Sequence, residues 1–144
     1  MNFLKKKFKP ICIIPARGGS KRIKNKNIIN FFGKPLIYYS IKAAKKSKIF
    51  SRIIVSTDSK KIMNIAIKYG AEVPFLRSKE LSDDKTSSKD VLIDTINKIN
   101  SKNVDYHCLM YPTAPLIKSE DIKSAFKKLL NKKADGLMTI SKYM

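Results

Sequence analysis

The chain has 144 residues, about the length of one average domain, which leaves little room for two independent cores. Its 43% hydrophobic and 9% aromatic content is that of a globular protein and not of a polar disordered tail. Thirty-one Lys and Arg against eleven Asp and Glu give a formal charge of +20, which taken alone points to a nucleic acid or an acidic membrane surface. Arg occurs only at Arg17, Arg22, Arg52 and Arg77, and the lysines are spread over the whole chain, a bias that genome composition alone can produce.

Ile11 to Ala16 is a continuous apolar run without alternation, the pattern of a parallel strand buried on both faces. Pro35 is expected in the first turn of a helix, with Leu36, Ile37, Ser40, Ile41 and Ala44 at helical spacing and Lys45, Lys46 and Lys48 favouring its end near Ser47. Ile53 to Val55 form a second buried strand that leads into Ser56-Thr57-Asp58. Asp58 or Ser59 then caps a helix carrying Ile62, Ile65, Ala66 and Tyr69, which Gly70 terminates. Ala71 to Leu76 reads as a third strand, placed near a sheet edge by Pro74.

A polar segment, Arg77 to Thr86, precedes a helix capped by Ser87 or Ser88, with Asp90 in its first turn and Val91, Leu92, Thr95, Ile96 and Ile99 on one face. Tyr106 to Tyr111 is the fourth strand. After Pro112-Thr113-Ala114-Pro115, Ser119 is expected to cap a helix with a stripe of Ile122, Ala125, Phe126, Leu129 and Leu130, and Gly136 to Ile140 form a last strand. Strand and helix alternate throughout, which predicts an α/β fold: a three-layer α/β/α sandwich with a mostly parallel sheet and right-handed crossovers. The chain stops at Met144 directly beyond that last strand, where an open sheet ordinarily runs on into a helix, so a protein cut short at its C-terminus is expected.

Cys12 and Cys108 lie inside apolar runs without metal-ligand spacing and are expected to be buried, reduced and inert. His107 has no partner nucleophile in its strand and is taken as structural. The basic N-terminal stretch is followed by no apolar segment of signal-peptide length, and no segment approaches a membrane span, so a cytoplasmic location is the default.

In a parallel sheet, ligands bind at the carboxyl ends of the strands. That rule selects Ala16 to Asn27, Ser56 to Asp58, Arg77 to Ser88, Tyr111 to Pro115 and Ser141 to Met144. In the first of these, Gly18 and Gly19 allow close approach of the backbone while Arg17, Lys21, Arg22, Lys24 and Lys26 surround it, a pattern suited to a polyphosphate. It is neither a Walker A loop nor a GxGxxG turn.

Ile13-Ile14-Pro15-Ala16-Arg17-Gly18-Gly19-Ser20-Lys21-Arg22-Ile23 with Lys26-Asn27 resembles the signature loop of the acylneuraminate cytidylyltransferases, the CMP-sialic acid synthetases, a family that includes the pseudaminic acid enzymes. Gly33 to Ile37, Ile54 to Asp58, Tyr69 to Arg77, Glu80-Leu81 with Asp83-Asp84, and Pro112 to Leu116 resemble the same family in the same order. The resemblance implies a Rossmann-like nucleotide-diphospho-sugar transferase fold, with residues 1–144 forming one nucleotide-binding domain. It also implies transfer of CMP from CTP to a nonulosonic acid, with release of pyrophosphate and Mg²⁺ as cofactor.

Carried over residue by residue, the family pattern puts Arg17, Lys21 and Lys26 on the phosphates, with Arg17 and Lys26 as the catalytic pair and Lys26 meeting transition-state charge. Gly18, Gly19 and Ser20 belong to the same phosphate loop, and Asn27 helps hold the nucleotide. Ala16 offers its backbone to cytosine, Arg77, Thr86 and Ser88 line the base and ribose, and Tyr111 meets the sugar acid. Tyr111-Pro112-Thr113-Ala114-Pro115 is closer to the pseudaminic acid relatives than to the Gln-Pro-Thr-Ser-Pro of the sialic acid enzymes, so N-acetylneuraminate and pseudaminate both stay open. The family's Mg²⁺ aspartates and its dimerisation segment are expected beyond residue 144, in a full-length homodimer.

Each assignment has a plainer rival. Lys21, Lys24 and Lys26 suit a solvated basic loop, Arg77 a surface ion pair with Glu80, Asp83 or Asp84, Asp58 a helix cap, and Tyr111 the core end of a strand. For the whole chain, the rivals are a CTP-binding but inactive fragment and a basic RNA-binding module. The second rests on the +20 charge and Arg17-Gly18-Gly19, and no aromatic pair sits in an RNA-recognition motif.

Overall fold

The run Ile11–Pro15 forms β1, the middle strand of the sheet, because it has apolar side chains to give to both faces. Cys12, Ile14 and Ala16 join one core cluster with Ile37, Ile41, Ile62, Ala66 and Ile122, whereas Ile11 and Ile13 pack on the other side with Ile54, Leu92, Ile96 and Ile99. A strand with two buried faces needs helices on both, and each fully buried Ile contributes about 1.5–3 kcal/mol of transfer free energy.

The computed structural model describes residues 9–140. After β1 come a 3₁₀ turn at Lys26–Ile28, β2 (Asn30–Phe31), β3 (Lys34–Pro35), α1 (Leu36–Ser47), β4 (Arg52–Ser56) and α2 (Lys60–Lys68). They are followed by α3 (Ser88–Lys98), β5 (His107–Leu109) and α4 (Ser119–Lys132). The sheet order is β4-β1-β5, all parallel, with Cys12 opposite Ile53 on one side and Cys108 on the other. Helices α1, α2 and α4 cover one face and α3 the other, so the three-layer α/β arrangement expected from the alternation is the one observed. No helix among the described residues is long and apolar enough to cross a membrane.

Several expectations are corrected. Ala71 to Leu76 is no continuous strand: it runs parallel to β4 through two isolated bridges, Ile54 to Glu72 and Thr57 to Leu76. Pro74 between them has no N–H to continue a ladder. Gly136 to Ile140 is irregular, with Met138 and Ile140 exposed, because no described strand lies beside it to accept its backbone. The fourth strand shrinks to His107–Leu109. Pro35 precedes helix α1 instead of entering its first turn. Ser119 is the first helical residue of α4 and not its cap; Lys118 stands at the cap position, and the Ser119 hydroxyl bonds Glu120 Oε1 at 2.8 Å. The short β2–β3 hairpin is an addition, held to α1 by the Tyr39 hydroxyl donating to the Phe31 carbonyl at 2.7 Å.

The other caps follow the sequence. Ser59 accepts from Ile62 N at the start of α2, and Ser87 with Asp90 forms a reciprocal capping box on α3. Gly70 ends α2 at φ +89°, where a Cβ would also run into the Lys45 side chain. Cys12 and Cys108 are free thiols facing each other across β1 and β5, the first buried and the second only partly so. The Cys12 thiol is pushed above its ordinary value by its contact with Cys108 and by burial. His107 is held through Ser101 Oγ at 3.0 Å. The candidate segment Ser141 to Met144 lies outside the described residues.

Candidate functional site

Five backbone stretches converge where β1, β4 and β5 end, enclosing a cavity of about 200 Å³. Pro15, Arg17 and Ser20 come from the loop after β1, and Lys26 and Asn27 from the 3₁₀ turn. Arg77, Leu81, Asp83, Asp84 and Thr86 come from the polar segment, Ser88 and Val91 from α3, and Tyr111, Pro112 and Thr113 from the stretch after β5. This is the position at which parallel sheets bind ligands.

The glycine loop is anchored from outside. Gly18 N–H donates to Asp58 Oδ1 at 2.8 Å, and Ser20 N–H donates back to the Gly18 carbonyl at 3.0 Å. Asp58 is therefore not the helix cap, a role Ser59 fills. A Cβ at Gly18 would meet Ser59 Cβ at 3.0 Å, so a side chain there would crowd Ser59 by a few tenths of an ångström, while a Cβ at Gly19 would meet open space. With two of its N–H groups engaged, the loop presents cationic side chains to the cavity more than backbone donors.

Asn27 is buried and donates through Nδ2 to the Arg17 carbonyl at 2.9 Å, so it holds the loop in shape. Lys26, one residue earlier, is exposed at the cavity and lies within ion-pair distance of no described carboxylate. Ala16 is fully buried and its N–H is bound to the Ser56 carbonyl at 2.9 Å, which leaves only its carbonyl for a ligand. Ala16, Gly18, Gly19 and Lys21 do not line the cavity.

The polar segment carries the counter-charges. Arg17 donates through Nη1 to the Asp83 carbonyl at 2.8 Å and pairs through Nη2 with Asp84 Oδ1 at 2.6 Å, and Lys21 pairs with the other oxygen of the same carboxylate. Contacts with Lys21 and Arg17 hold the Asp84 carboxyl below its ordinary range. Asp83 turns the other way, its Oδ1 accepting from Lys85 N, Thr86 N and the Thr86 hydroxyl at 3.0, 2.7 and 2.7 Å.

Arg77 is 5% exposed, which corrects the alternative of a surface ion pair with Glu80, Asp83 or Asp84. Its N–H donates to the Thr57 carbonyl at 2.8 Å and its Nε to Ser82 Oγ at 3.1 Å. Burial pulls its guanidinium below the ordinary value, partly offset by the charge of Asp58. Such a group, desolvated at a cavity wall, suits a polar ligand that brings its own acceptors.

Tyr111 corrects the core alternative, since it is 57% exposed and its hydroxyl lies 3.4 Å from Ser88 Oγ. Its carbonyl accepts from Ser40 Oγ at 2.9 Å, which pins the backbone to α1 while the ring stays at the cavity. The Thr86 hydroxyl, expected at the base or ribose, donates to Asp83. The contacts of Asp58 with Gly18 and of Asp84 with Arg17 and Lys21 join loops forty or more residues apart, and the sequence of either loop does not signal them.

A divalent cation would need several free oxygen ligands. Among the described residues no three His, Cys, Asp or Glu side chains gather to hold one, and both cavity carboxylates already bind cations or N–H groups. The donor set here does not fit Mg²⁺.

Fold and site together define an α/β protein with a cavity lined by Arg17, Lys26 and Arg77 at the carboxyl ends of a parallel sheet. The family model described as cytidylyltransferase matches residues 11–144, and the chain belongs to that family. It is 46% identical over 137 residues to a pseudaminic acid cytidylyltransferase of Campylobacter jejuni, covering 94% of this chain and 59% of the relative. It is 44% identical over 117 residues to the CMP-N,N'-diacetyllegionaminic acid synthase of Legionella pneumophila, covering 80% and 50%. The chain thus spans little more than half the length of these curated relatives. The solved structure of a CMP:2-keto-3-deoxy-manno-octonic acid synthetase complexed with CTP matches with a TM-score of 0.74 at 22% identity, over 88% of this chain and 49% of that one, a likeness of fold.

Proposed function

We propose that the protein transfers a cytidylyl group from CTP to a nonulosonic acid, either pseudaminate or N-acetylneuraminate, and releases pyrophosphate. The observation that carries the reading is the convergence of Arg17, Lys26 and Arg77 on one cavity at the carboxyl ends of the sheet. The relatives' names and the order of the family motifs support the substrate class, and Tyr111-Pro112-Thr113-Ala114-Pro115 favours pseudaminate.

In this reading a sugar hydroxyl attacks the α-phosphorus as pyrophosphate leaves, and the protein supplies position and positive charge. Arg17 and Lys21 take the outer phosphates, and Lys26, without a carboxylate partner among the described residues, meets the charge that develops at the α-phosphoryl group. Asn27 keeps the Arg17 carbonyl, and so the loop, in register. The Arg77 guanidinium faces the base, Thr86 and Ser88 lie toward the ribose, and Tyr111 presents its hydroxyl to the sugar acid, whereas Ala16, fully buried and off the cavity lining, makes no direct contact. No step is routed through Mg²⁺, because the described donor set does not fit it. Residues 1–144 act as one nucleotide-binding unit.

The test is pyrophosphate release from CTP with each acid offered separately. Release with either acid supports the reading and selects the substrate. CTP binding without release from either acid reduces it to nucleotide binding, and equal affinity for any polyanion, RNA included, contradicts it.

A further inference from the structure

Two of the three cations assigned to phosphate, Arg17 and Lys21, are already occupied. Asp84 places one carboxylate oxygen on Arg17 and the other on Lys21, while Arg17 also takes the Asp83 carbonyl. The segment that carries Asp84 is fastened at both ends: Arg77 N–H holds the Thr57 carbonyl, Arg77 Nε holds Ser82, and the Ser87–Asp90 capping box starts α3. Between these points its contacts to the glycine loop run through Arg17 and Lys21. The pair is open to water, with the Asp84 side chain 38% and that of Lys21 82% exposed, so its exchange faces no desolvation barrier of the buried kind. The cavity, about 200 Å³, is open to solvent on one side, so a larger ligand can extend beyond it. A nucleoside triphosphate needs both cations.

We propose that Asp84 is an internal competitor for the phosphate-binding cations: its carboxylate holds Arg17 and Lys21 until a polyphosphate displaces it and releases the stretch around Asp84 from the glycine loop. The proposal rests on the nucleotide reading above and adds a residue that opposes binding. One carboxylate brings a single negative charge to two cations. A triphosphate brings several, so it wins the exchange where a monoanion does not. The Asp83 carboxylate takes no part in the exchange, because it is bound within its own turn. The device thus filters ligands by charge before the base is read.

The experiment is titration of the 144-residue chain with CTP, inorganic triphosphate and uncharged cytidine, in the parent and in Asp84→Asn, Asp84→Glu and Glu72→Gln. Glu72→Gln removes one negative charge from the Arg52 pair at the amino end of β4, away from the cavity, and controls for net charge. Releasing two exposed ion pairs predicts that Asp84→Asn binds CTP and triphosphate about three- to tenfold more tightly at low salt, with the gain shrinking as salt is added. Asp84→Glu and Glu72→Gln stay close to the parent, and cytidine does not distinguish the variants. Unchanged or weaker CTP binding by Asp84→Asn makes Asp84 a positioning residue for Arg17 and overturns the competitor. Tightening by Glu72→Gln to the same extent overturns it too, as a general charge effect. Absence of CTP binding in both the parent and Asp84→Asn overturns the nucleotide reading itself, and the competitor with it.

Discussion

Asp58 and Gly18 are joined by a 2.8 Å hydrogen bond from the Gly18 N–H to Asp58 Oδ1, across forty residues of sequence. This bond ties the loop after β1 to the loop after β4 and gives the cationic segment a fixed base. Removal of the acceptor in Asp58→Ala is expected to lower stability by about 1–2 kcal/mol, since a part-buried N–H is left without its partner. CTP affinity falls with it. Asp58→Asn keeps an acceptor oxygen and recovers most of both, which denaturant unfolding and CTP titration of the two variants measure.

Arg77 is the most deeply buried cation of the cavity wall. Its replacement by Met keeps the stem and removes the guanidinium, so the bond to Ser82 Oγ and the polar wall are lost together. The fold is expected to survive, with a thermal midpoint close to the parent. CTP affinity is expected to drop about tenfold or more, the cost of losing a charge-assisted contact. Calorimetric titration beside a thermal melt separates the two effects.

The elements that were legible in the sequence are those whose side chains recur on one face. Ile11 to Pro15 and the stripes of α1, α3 and α4 are set by burial on the sheet, so apolar periodicity reports them directly. The β2–β3 hairpin was not legible because each strand has two residues, and its turn puts Phe32 at φ +46° before Gly33 at +78°. Residues 136–140 have strand composition, yet composition makes no strand without a neighbouring edge. Within the site, glycines and cations stand in one local run and could be read from it. The Asp84 pairings with Arg17 and Lys21 span more than sixty residues, and nothing local to either loop signals them.

His107 gives the protein a pH-dependent stability. Burial holds its imidazole below the ordinary value of 6.5, with the Ser101 hydrogen bond opposing. The unfolded chain therefore binds a proton more readily than the native one. Between the folded value and 6.5 stability rises with pH, and above that window this group contributes no slope. Acidification from about pH 7 to 5 is expected to destabilise the parent and to affect His107→Asn less, as denaturant midpoints across that range will report.

Ile41 sits on the buried face of α1, fully enclosed in the larger core cluster. Ile41→Ala is expected to cost about 2–4 kcal/mol, the range for deleting a buried aliphatic side chain into a packed core. An exposed counterpart on another helix, Ile67→Ala, is expected to change stability by less than about 1 kcal/mol. Urea unfolding of both variants checks the difference.

Lys26 lines the cavity without a carboxylate partner among the described residues, and thermal stabilisation by CTP in the parent and in Lys26→Ala measures whether the cavity holds CTP through it. Lys26 is exposed, so its truncation leaves the fold intact. A site that binds only the native state gains about 2.7 kcal/mol at a hundredfold excess of CTP over its dissociation constant. The melting temperature of the parent is expected to rise clearly with CTP, and that of Lys26→Ala much less. Equal shifts in the two proteins, or none in the parent, would rule out Lys26 as the residue that holds CTP there.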